Sequence, residues 1–239
     1  MQRLEELLKK AQELKITITK EILNHLEEYK YEREKMIELF ISRGIKDQRV
    51  ILAMLLVPRH IFIPKNLQHL AYEDKPLPIG FGQTISQPYI IALMTENLEL
   101  KGDEKVLEVG TGSGYHTAVL SLLSKEVVTI EFISSLSDSA KEKISLLGLN
   151  NVRFVVGDGS CGVEFLAPYD RICVSAASPS VPEPLIDQLK DNGIMLIPIG
   201  DEEEQILSKI IKVGNGKGYQ KQEICPCKFV KLKGKYGFG

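Results

Sequence analysis

The sequence predicts an α/β protein with a mostly parallel, doubly wound sheet, an antiparallel C-terminal strand and an N-terminal helical part. Three observations predict it. Apolar runs at Val106–Val109, Val127–Ile130, Val152–Val156, Arg171–Val174 and Ile194–Ile199 alternate with helical segments at about 116–123, 134–147 and 182–190. Strands buried on both faces read as near-continuous apolar runs, and alternation with helices implies parallel neighbours. The first run passes directly into glycines at 110, 112 and 114 and then into a helix. In a strand–turn–helix of this form, glycines let the backbone approach a ligand closely. Finally, Ile206–Val213 and Glu223–Leu232 flank Gly214-Asn215-Gly216-Lys217-Gly218, whose Asn-Gly step signals a hairpin.

Taken in order, Leu4, Leu7, Leu8, Ala11 and Leu14 form a stripe at helical spacing. Such a stripe docks on its own domain or serves a subunit contact, so both a monomer and a homo-oligomer through the N-terminal helices fit. Thr19 can cap a second helix running through Ile22, Leu23, Leu26, Met36, Ile37 and Phe40, which Gly44 ends. Asp47 caps a third, which stops before Pro58. Lys75–Gln87, with two prolines and two glycines among apolar residues, reads as an ordered loop. Pro88 opens the next helix with Ser86 as its cap.

The chain has 239 residues, 44% of them hydrophobic, enough for one large α/β domain with an appendage. Its 30 basic and 32 acidic residues argue against a nucleic-acid partner. Without an apolar run of roughly 20 residues, no membrane span is expected. Cys161, Cys173, Cys225 and Cys227 form no Cys-x-x-Cys pair, so reduced thiols in the cytoplasm, and no metal, are the expectation.

In an open parallel sheet, ligands sit at the carboxyl ends of the strands. Glu131 follows the second run, where a carboxylate can accept both hydroxyls of a ribose. Asp158-Gly159 follows the third, where a short acid can accept from an adenine amino group. Glu131 as a helix cap and Asp158-Gly159 as a plain turn are the bland alternatives. A dinucleotide fold wants glycines at positions one, three and six. Here Tyr115 holds the sixth, and glycines fall at one, three and five. The Glu108-Val109-Gly110-Thr111-Gly112-Ser113-Gly114 form resembles the first motif of S-adenosylmethionine-dependent methyltransferases.

A more specific resemblance follows. Val57-Pro58-Arg59, Ala71-Tyr72-Glu73-Asp74, Pro76-Leu77-Pro78-Ile79-Gly80 and Gly82-Gln83-Thr84-Ile85-Ser86 resemble protein-L-isoaspartate O-methyltransferases. Val109–Tyr115, Asn150-Asn151-Val152, Ala167-Pro168-Tyr169-Asp170, Pro184–Leu189 and Pro198-Ile199-Gly200 continue the match in family order. It covers about residue 32 to the C-terminus, so residues 1–31 read as a helical extension and 32–239 as the catalytic domain. The resemblance implies a Rossmann-like methyltransferase fold. It also implies methyl transfer from S-adenosylmethionine, leaving S-adenosylhomocysteine, to the free carboxylate of L-isoaspartyl residues in damaged proteins. By resemblance, Thr84, Ile85 and Ser86 line the meeting point of cofactor and substrate, with Ser86 the active-site residue. Gly110, Gly112 and Gly114 bind the methionine part, Glu131 the ribose, and Asp158 and Gly159 the adenine side. Glu108, Thr111, Ser113 and Tyr89 are counted with the cofactor contacts. Three departures stand out: Tyr89 for a histidine of some members, Lys231 for a common proline, and Ser178 for the usual glycine.

A carboxylate acceptor needs no general base, since its pKa is about 4. Ser86 therefore reads as a hydroxyl donor that orients the acceptor. Two other readings of the motifs remain: a methyltransferase for another substrate, and a non-catalytic S-adenosylmethionine-binding module.

Overall fold

The computed structural model describes residues 2–214 and 218–238. Ahead of the main sheet lie α1 (Gln2–Glu13), α2 (Lys20–Leu23), α3 (Lys30–Ser42) and α4 (Gln48–Leu56). Thr19 caps α2 by accepting from Ile22 N, and Asp47 caps α4 by accepting from Arg49 N. The helix expected from Thr19 through Phe40 is broken at residues 24–29. Tyr29 turns the chain there with a left-handed backbone at φ 50°. The buried Arg33 guanidinium donates to the carbonyls of His25 and Glu28, which a continuous helix would have used itself. Residues of the N-terminal stripe dock on their own chain. Ala11 is buried, Arg49 donates to Leu14 O at 2.8 Å, and Thr19 donates to Leu147 O at 2.6 Å.

The segment expected as a loop carries a small antiparallel pair, β1 (Leu77–Gly80) and β2 (Gln83–Ile85). Helix α5 (Pro88–Asn97) follows. Ser86 is not its cap: that position is Gln87, which makes no side-chain cap bond. Asp74 serves instead, accepting from Tyr89 N at 2.9 Å and from Gln87 Nε2 at 2.8 Å.

The alternating runs then give β3 (Lys105–Val109), α6 (Tyr115–Leu123), β4 (Glu126–Glu131), α7 (Ser134–Leu146), β5 (Val152–Val156), β6 (Tyr169–Val174), α8 (Glu183–Gln188), β7 (Leu189–Gly200), β8 (Gln205–Lys212) and β9 (Tyr219–Cys227). The seven strands lie in the order β5-β4-β3-β6-β7-β8-β9. The first five are parallel, and β8 runs against both its neighbours. Successive residues face opposite layers: Val106 and Val127 join the core that contains α3 to α6, while Leu107 and Val128 join the second core with Leu185 of α8. The order reverses between β3 and β6, the crevice where open α/β sheets bind ligands.

Two boundaries differ from expectation. Helix α8 ends at Gln188 because Leu189 already pairs with Tyr169 of β6. Strand β9 ends at Cys227, whose partner Gln205 is the first residue of β8, so no strand lies opposite the residues beyond. Phe229 N donates to the Gln205 side chain instead. The Asn215-Gly216-Lys217 part of the expected hairpin turn lies outside the described residues.

Candidate active site

The carboxyl ends of β3, β4 and β6 open into a cleft, bounded on its far side by Thr84-Ile85-Ser86 and by Val230–Lys233. Its floor is the glycine turn. Gly110 takes φ 93° and Gly112 φ 53°, a region that costs a residue with a Cβ. Gly110 N donates to Ile130 O at 2.8 Å, which ties the turn to β4. Gly114 points the other way. A Cβ there would stand 2.9 Å from the Ala140 Cβ, so this glycine lets α6 pack on α7 and does not line the cleft.

Glu131 spans the turn and the start of α7. Its Oε2 accepts from Gly112 N at 2.9 Å and its Oε1 from Ile133 N at 3.0 Å. A carboxylate oxygen has lone-pair capacity for more than one donor, so both remain able to accept from vicinal hydroxyls. Gly159 also lines the cleft; a Cβ there would come within 2.6 Å of Val109 Cγ1, so only glycine lets the backbone lie this close to the end of β3. Thr111, Gly112 and Ser113 complete the floor.

Three expected contacts lie elsewhere. Glu108 is fully buried beneath the turn, where its Oε2 accepts from Thr117 at 2.5 Å and Thr129 at 2.7 Å. Thr129 is in turn hydrogen-bonded to Thr111 at 2.5 Å, so Glu108 supports the floor from below. Burial pushes its carboxyl up to about 7, against the pull of those two hydroxyls. The Asp158 carboxylate is occupied. It accepts from Ser160 N at 2.9 Å and Ser160 Oγ at 2.6 Å, and from Lys235 N at 2.8 Å. These bonds hold it below the usual carboxylate range, although partial burial opposes them as the largest single influence. Tyr89 turns away: its hydroxyl donates to Arg43 O at 3.2 Å and its ring lies under the Arg43 guanidinium.

Ser86 is presented by a support that the sequence did not reveal. Arg59 is completely buried, with Nε on Ala71 O at 2.8 Å and Nη2 on Ser86 O at 2.7 Å. Its guanidinium stacks 4.8 Å from the Tyr115 ring centroid, joining the serine loop to the first residue of α6. Among the described residues no protein group engages the Ser86 hydroxyl. Ser175 was also missed. It directly follows β6, at the sheet edge where Glu131 closes β4, and among the described residues its buried hydroxyl has no protein partner. It lines both the cleft and an adjoining groove with Ser86, Gln87 and Phe229. The strand-end rule that found Glu131 applies equally to Ser175.

His116 lines the cleft but is no base. Thr95 donates to Ile91 O, so the Thr95 oxygen, 3.0 Å from His116 Nε2, accepts the imidazole proton. Burial drives the ring down to about 3, so it is neutral near pH 7.

The donor set fits a nucleoside without phosphate. Tyr115 N, at the start of α6, faces Ser113 Oγ at 3.3 Å, and neither lysine nor arginine stands in the glycine turn. A carboxylate at Glu131 and a cradle closed by Gly159 suit a ribose and a base.

The model of the protein-L-isoaspartate(D-aspartate) O-methyltransferase family matches residues 31–237. A protein-L-isoaspartate O-methyltransferase of Dictyoglomus turgidum is 58% identical over 210 residues, spanning 88% of this chain and 94% of the relative. Its counterpart from Dictyoglomus thermophilum is 53% identical over 211 residues, spanning 88% and 95%. A solved protein-L-isoaspartate O-methyltransferase superposes with a TM-score of 0.75 at 31% identity, covering 86% of this chain and 67% of that one. A Plasmodium falciparum structure described as such an enzyme, in complex with S-adenosyl-L-homocysteine, superposes with a TM-score of 0.73 at 28% identity, covering 84% and 98%. The chain belongs to the protein-L-isoaspartate(D-aspartate) O-methyltransferase family.

Proposed function

We propose that this chain transfers a methyl group from S-adenosylmethionine to the free carboxylate of L-isoaspartyl residues in damaged proteins. The ester then closes to a succinimide, whose hydrolysis returns part of the product to normal aspartate. The observation that carries the reading is one cleft bounded by Gly110–Ser113 and Glu131 on one side and by Thr84-Ile85-Ser86 on the other.

When bound, S-adenosylmethionine would supply a sulfonium methyl group for in-line attack by an acceptor carboxylate oxygen, with S-adenosylhomocysteine as the leaving group. Glu131 accepts the ribose hydroxyls, and the backbone of Gly110 and Gly112 admits the methionine end. Thr111 and Ser113 shape that floor, while Glu108 and Gly114 act from behind it. Gly159 borders the base. Ser86 donates its hydroxyl to the acceptor carboxylate and orients it, held in place by Arg59 through the Ser86 carbonyl. The acceptor carries no proton at neutral pH, because a carboxyl titrates at about 4. No base is required, which agrees with a neutral, inward-facing His116. Catalysis then consists of alignment and of excluding water from two opposite charges.

The substrate side is the groove with Ser175, Phe229 and Val230, an extended segment onto which a peptide backbone can lie. Lys233 on the cleft wall favours an anionic acceptor. The reading includes a cytoplasmic location, supported by four free cysteines. Among the described residues no helix is long and apolar enough to cross a membrane.

The test is transfer from labelled S-adenosylmethionine to an isoaspartyl peptide, with the matching aspartyl peptide as control. Labelling of the isoaspartyl peptide alone is expected. Equal labelling of both removes the isoaspartyl specificity, and labelling of neither removes the transferase reading.

A further inference from the structure

The break between α2 and α3 places His25 and Glu28 beside His60, outside the cleft. Glu28 Oε2 lies 3.2 Å from His25 Nδ1 and 2.6 Å from His60 Nε2. One ligating atom from each residue falls within 4.8 Å of the others. We propose that His25, Glu28 and His60 bind one divalent first-row transition-metal ion, with Zn2+ the ion their donors suit best.

The donor set is two imidazoles and one carboxylate, which favours Zn2+ and its neighbours over Mg2+ or Ca2+, whose sites are built from oxygen. Donors around a tetrahedral Zn2+, each about 2.1 Å from the metal, stand about 3.4 Å apart. The two Glu28 separations, 3.2 and 2.6 Å, fall short of that value and the histidine pair lies within 4.8 Å, so side-chain rotations that open the Glu28–His60 contact would seat an ion.

The ring of His60 is already oriented. Its Nδ1 is 2.9 Å from the Tyr72 hydroxyl, a group that can accept as well as donate. Tyr72 can therefore take an Nδ1 proton and leave the Nε2 lone pair to a metal, the arrangement that fixes histidine ligands in metal sites. The Tyr29 ring packs 4.9 Å from the His60 ring. Arg33 holds the turn by donating to His25 O at 3.0 Å and Glu28 O at 3.1 Å. The left-handed backbone of the non-glycine Tyr29 is strained, and what it achieves is to bring Glu28 between the two histidines.

Access is graded. The His60 side chain is 5% exposed, His25 22% and Glu28 50%, so the deep ligand is fixed and the solvent side is open to water as a further ligand. The Arg33 guanidinium sits over Tyr72, and Glu28 alone supplies negative charge among the three ligands. Affinity therefore rests on the imidazoles. The bound ion would join the turn before α3 to the segment Arg59–Phe62, whose Arg59 holds Ser86. Its role is structural.

The test uses the untagged full-length chain, stripped with chelator and titrated with Co2+ and then Zn2+. We expect visible d–d absorption that saturates at one equivalent of Co2+ and is displaced by Zn2+. His25→Ala and Glu28→Gln should each weaken Co2+ binding at least tenfold while the metal-free melting temperature stays near that of the parent. The double change Cys225→Ser, Cys227→Ser should leave binding intact. Co2+ binding that survives both site variants, that disappears with the cysteine pair, or that is absent from the parent overturns the proposal.

Discussion

Glu131→Gln separates the two tasks placed on one carboxylate. In the folded chain each oxygen accepts one backbone N–H, from Gly112 and from Ile133, and the residue is 7% exposed. An amide keeps one acceptor oxygen and turns the other into an NH2 donor. Whichever way it rotates, one backbone N–H then faces a donor. A hydrogen bond to a charged group contributes about 1.5–3 kcal/mol, and relaxation with water recovers part of it at a cleft edge. A loss of roughly 1–2 kcal/mol lowers the melting temperature of a chain this size by about 2–8 °C. The cofactor side suffers separately, because one ribose hydroxyl loses its charged acceptor. The same 1.5–3 kcal/mol corresponds to about a 10–100-fold rise in Kd, at 1.4 kcal/mol per tenfold. Calorimetric titration with S-adenosylhomocysteine, well below the melting transition, measures it. A Kd within twofold of the parent alongside a lowered melting temperature would refute the ribose assignment and leave Glu131 a purely structural clamp.

Ser86→Ala should cut kcat on an isoaspartyl peptide at least tenfold with the S-adenosylhomocysteine Kd unchanged; full activity in steady-state kinetics would sink the orienting role. Its melting temperature should hardly move, since Asp74 and not Ser86 caps α5. Asp74→Ala removes that cap and the Gln87 bond together, and should cost about 1–2 kcal/mol in denaturant unfolding. Glu108 predicts a pH effect. Burial raises its folded pKa to about 7 from 4.5, so between these values the folded state binds the extra proton. Stability from this group is greatest at low pH and falls as pH rises toward 7. Glu108→Gln, neutral throughout, should become more stable relative to the parent as pH goes from 5 to 8. A constant difference between their urea midpoints over that range would show that Glu108 titrates normally.

The cofactor half of the site was legible because it is local. The run Lys105–Val109 leads into glycines, Glu131 closes β4 and Gly159 lies a short step past the end of β5, so the position along the chain is the position in space. Residues whose place depends on side-chain direction were harder to read. Glu108 precedes the glycines but points into the layer under α6, since strand residues alternate faces. Asp158 occupies the expected strand end, yet one of its oxygens is claimed by Ser160 and the other by the distant Lys235. The break at residues 24–29 was hidden because Leu26, Met36 and Phe40 still fit one helical stripe. It becomes visible only with Arg33 reaching back to the two carbonyls.

The substrate half is assembled from distant pieces, and this division has a physical consequence. Ser86 is held through its carbonyl by Arg59, its neighbour Gln87 by Asp74, and the opposite wall by Leu232 N on Ala177 O at 2.7 Å. The glycine turn is held instead by Ile130, by Glu131 and by the Glu108–Thr129–Thr111 chain. The Arg59–Tyr115 stack joins the two sets. Cofactor geometry can thus be kept while the substrate walls vary, which accounts for where the departures from the family pattern fall. Lys231 lies on the wall, paired with Glu202 at 2.5 Å, and Ser178 lies on the strand extension bonded to Pro198 O. Neither touches the glycine turn. Arg59 is the exception that must satisfy both halves, and its burial without a carboxylate partner is the cost of joining them. Desolvation lowers its pKa to about 10, still far enough above neutrality for the guanidinium to remain charged and to hold the Ser86 carbonyl against the cleft.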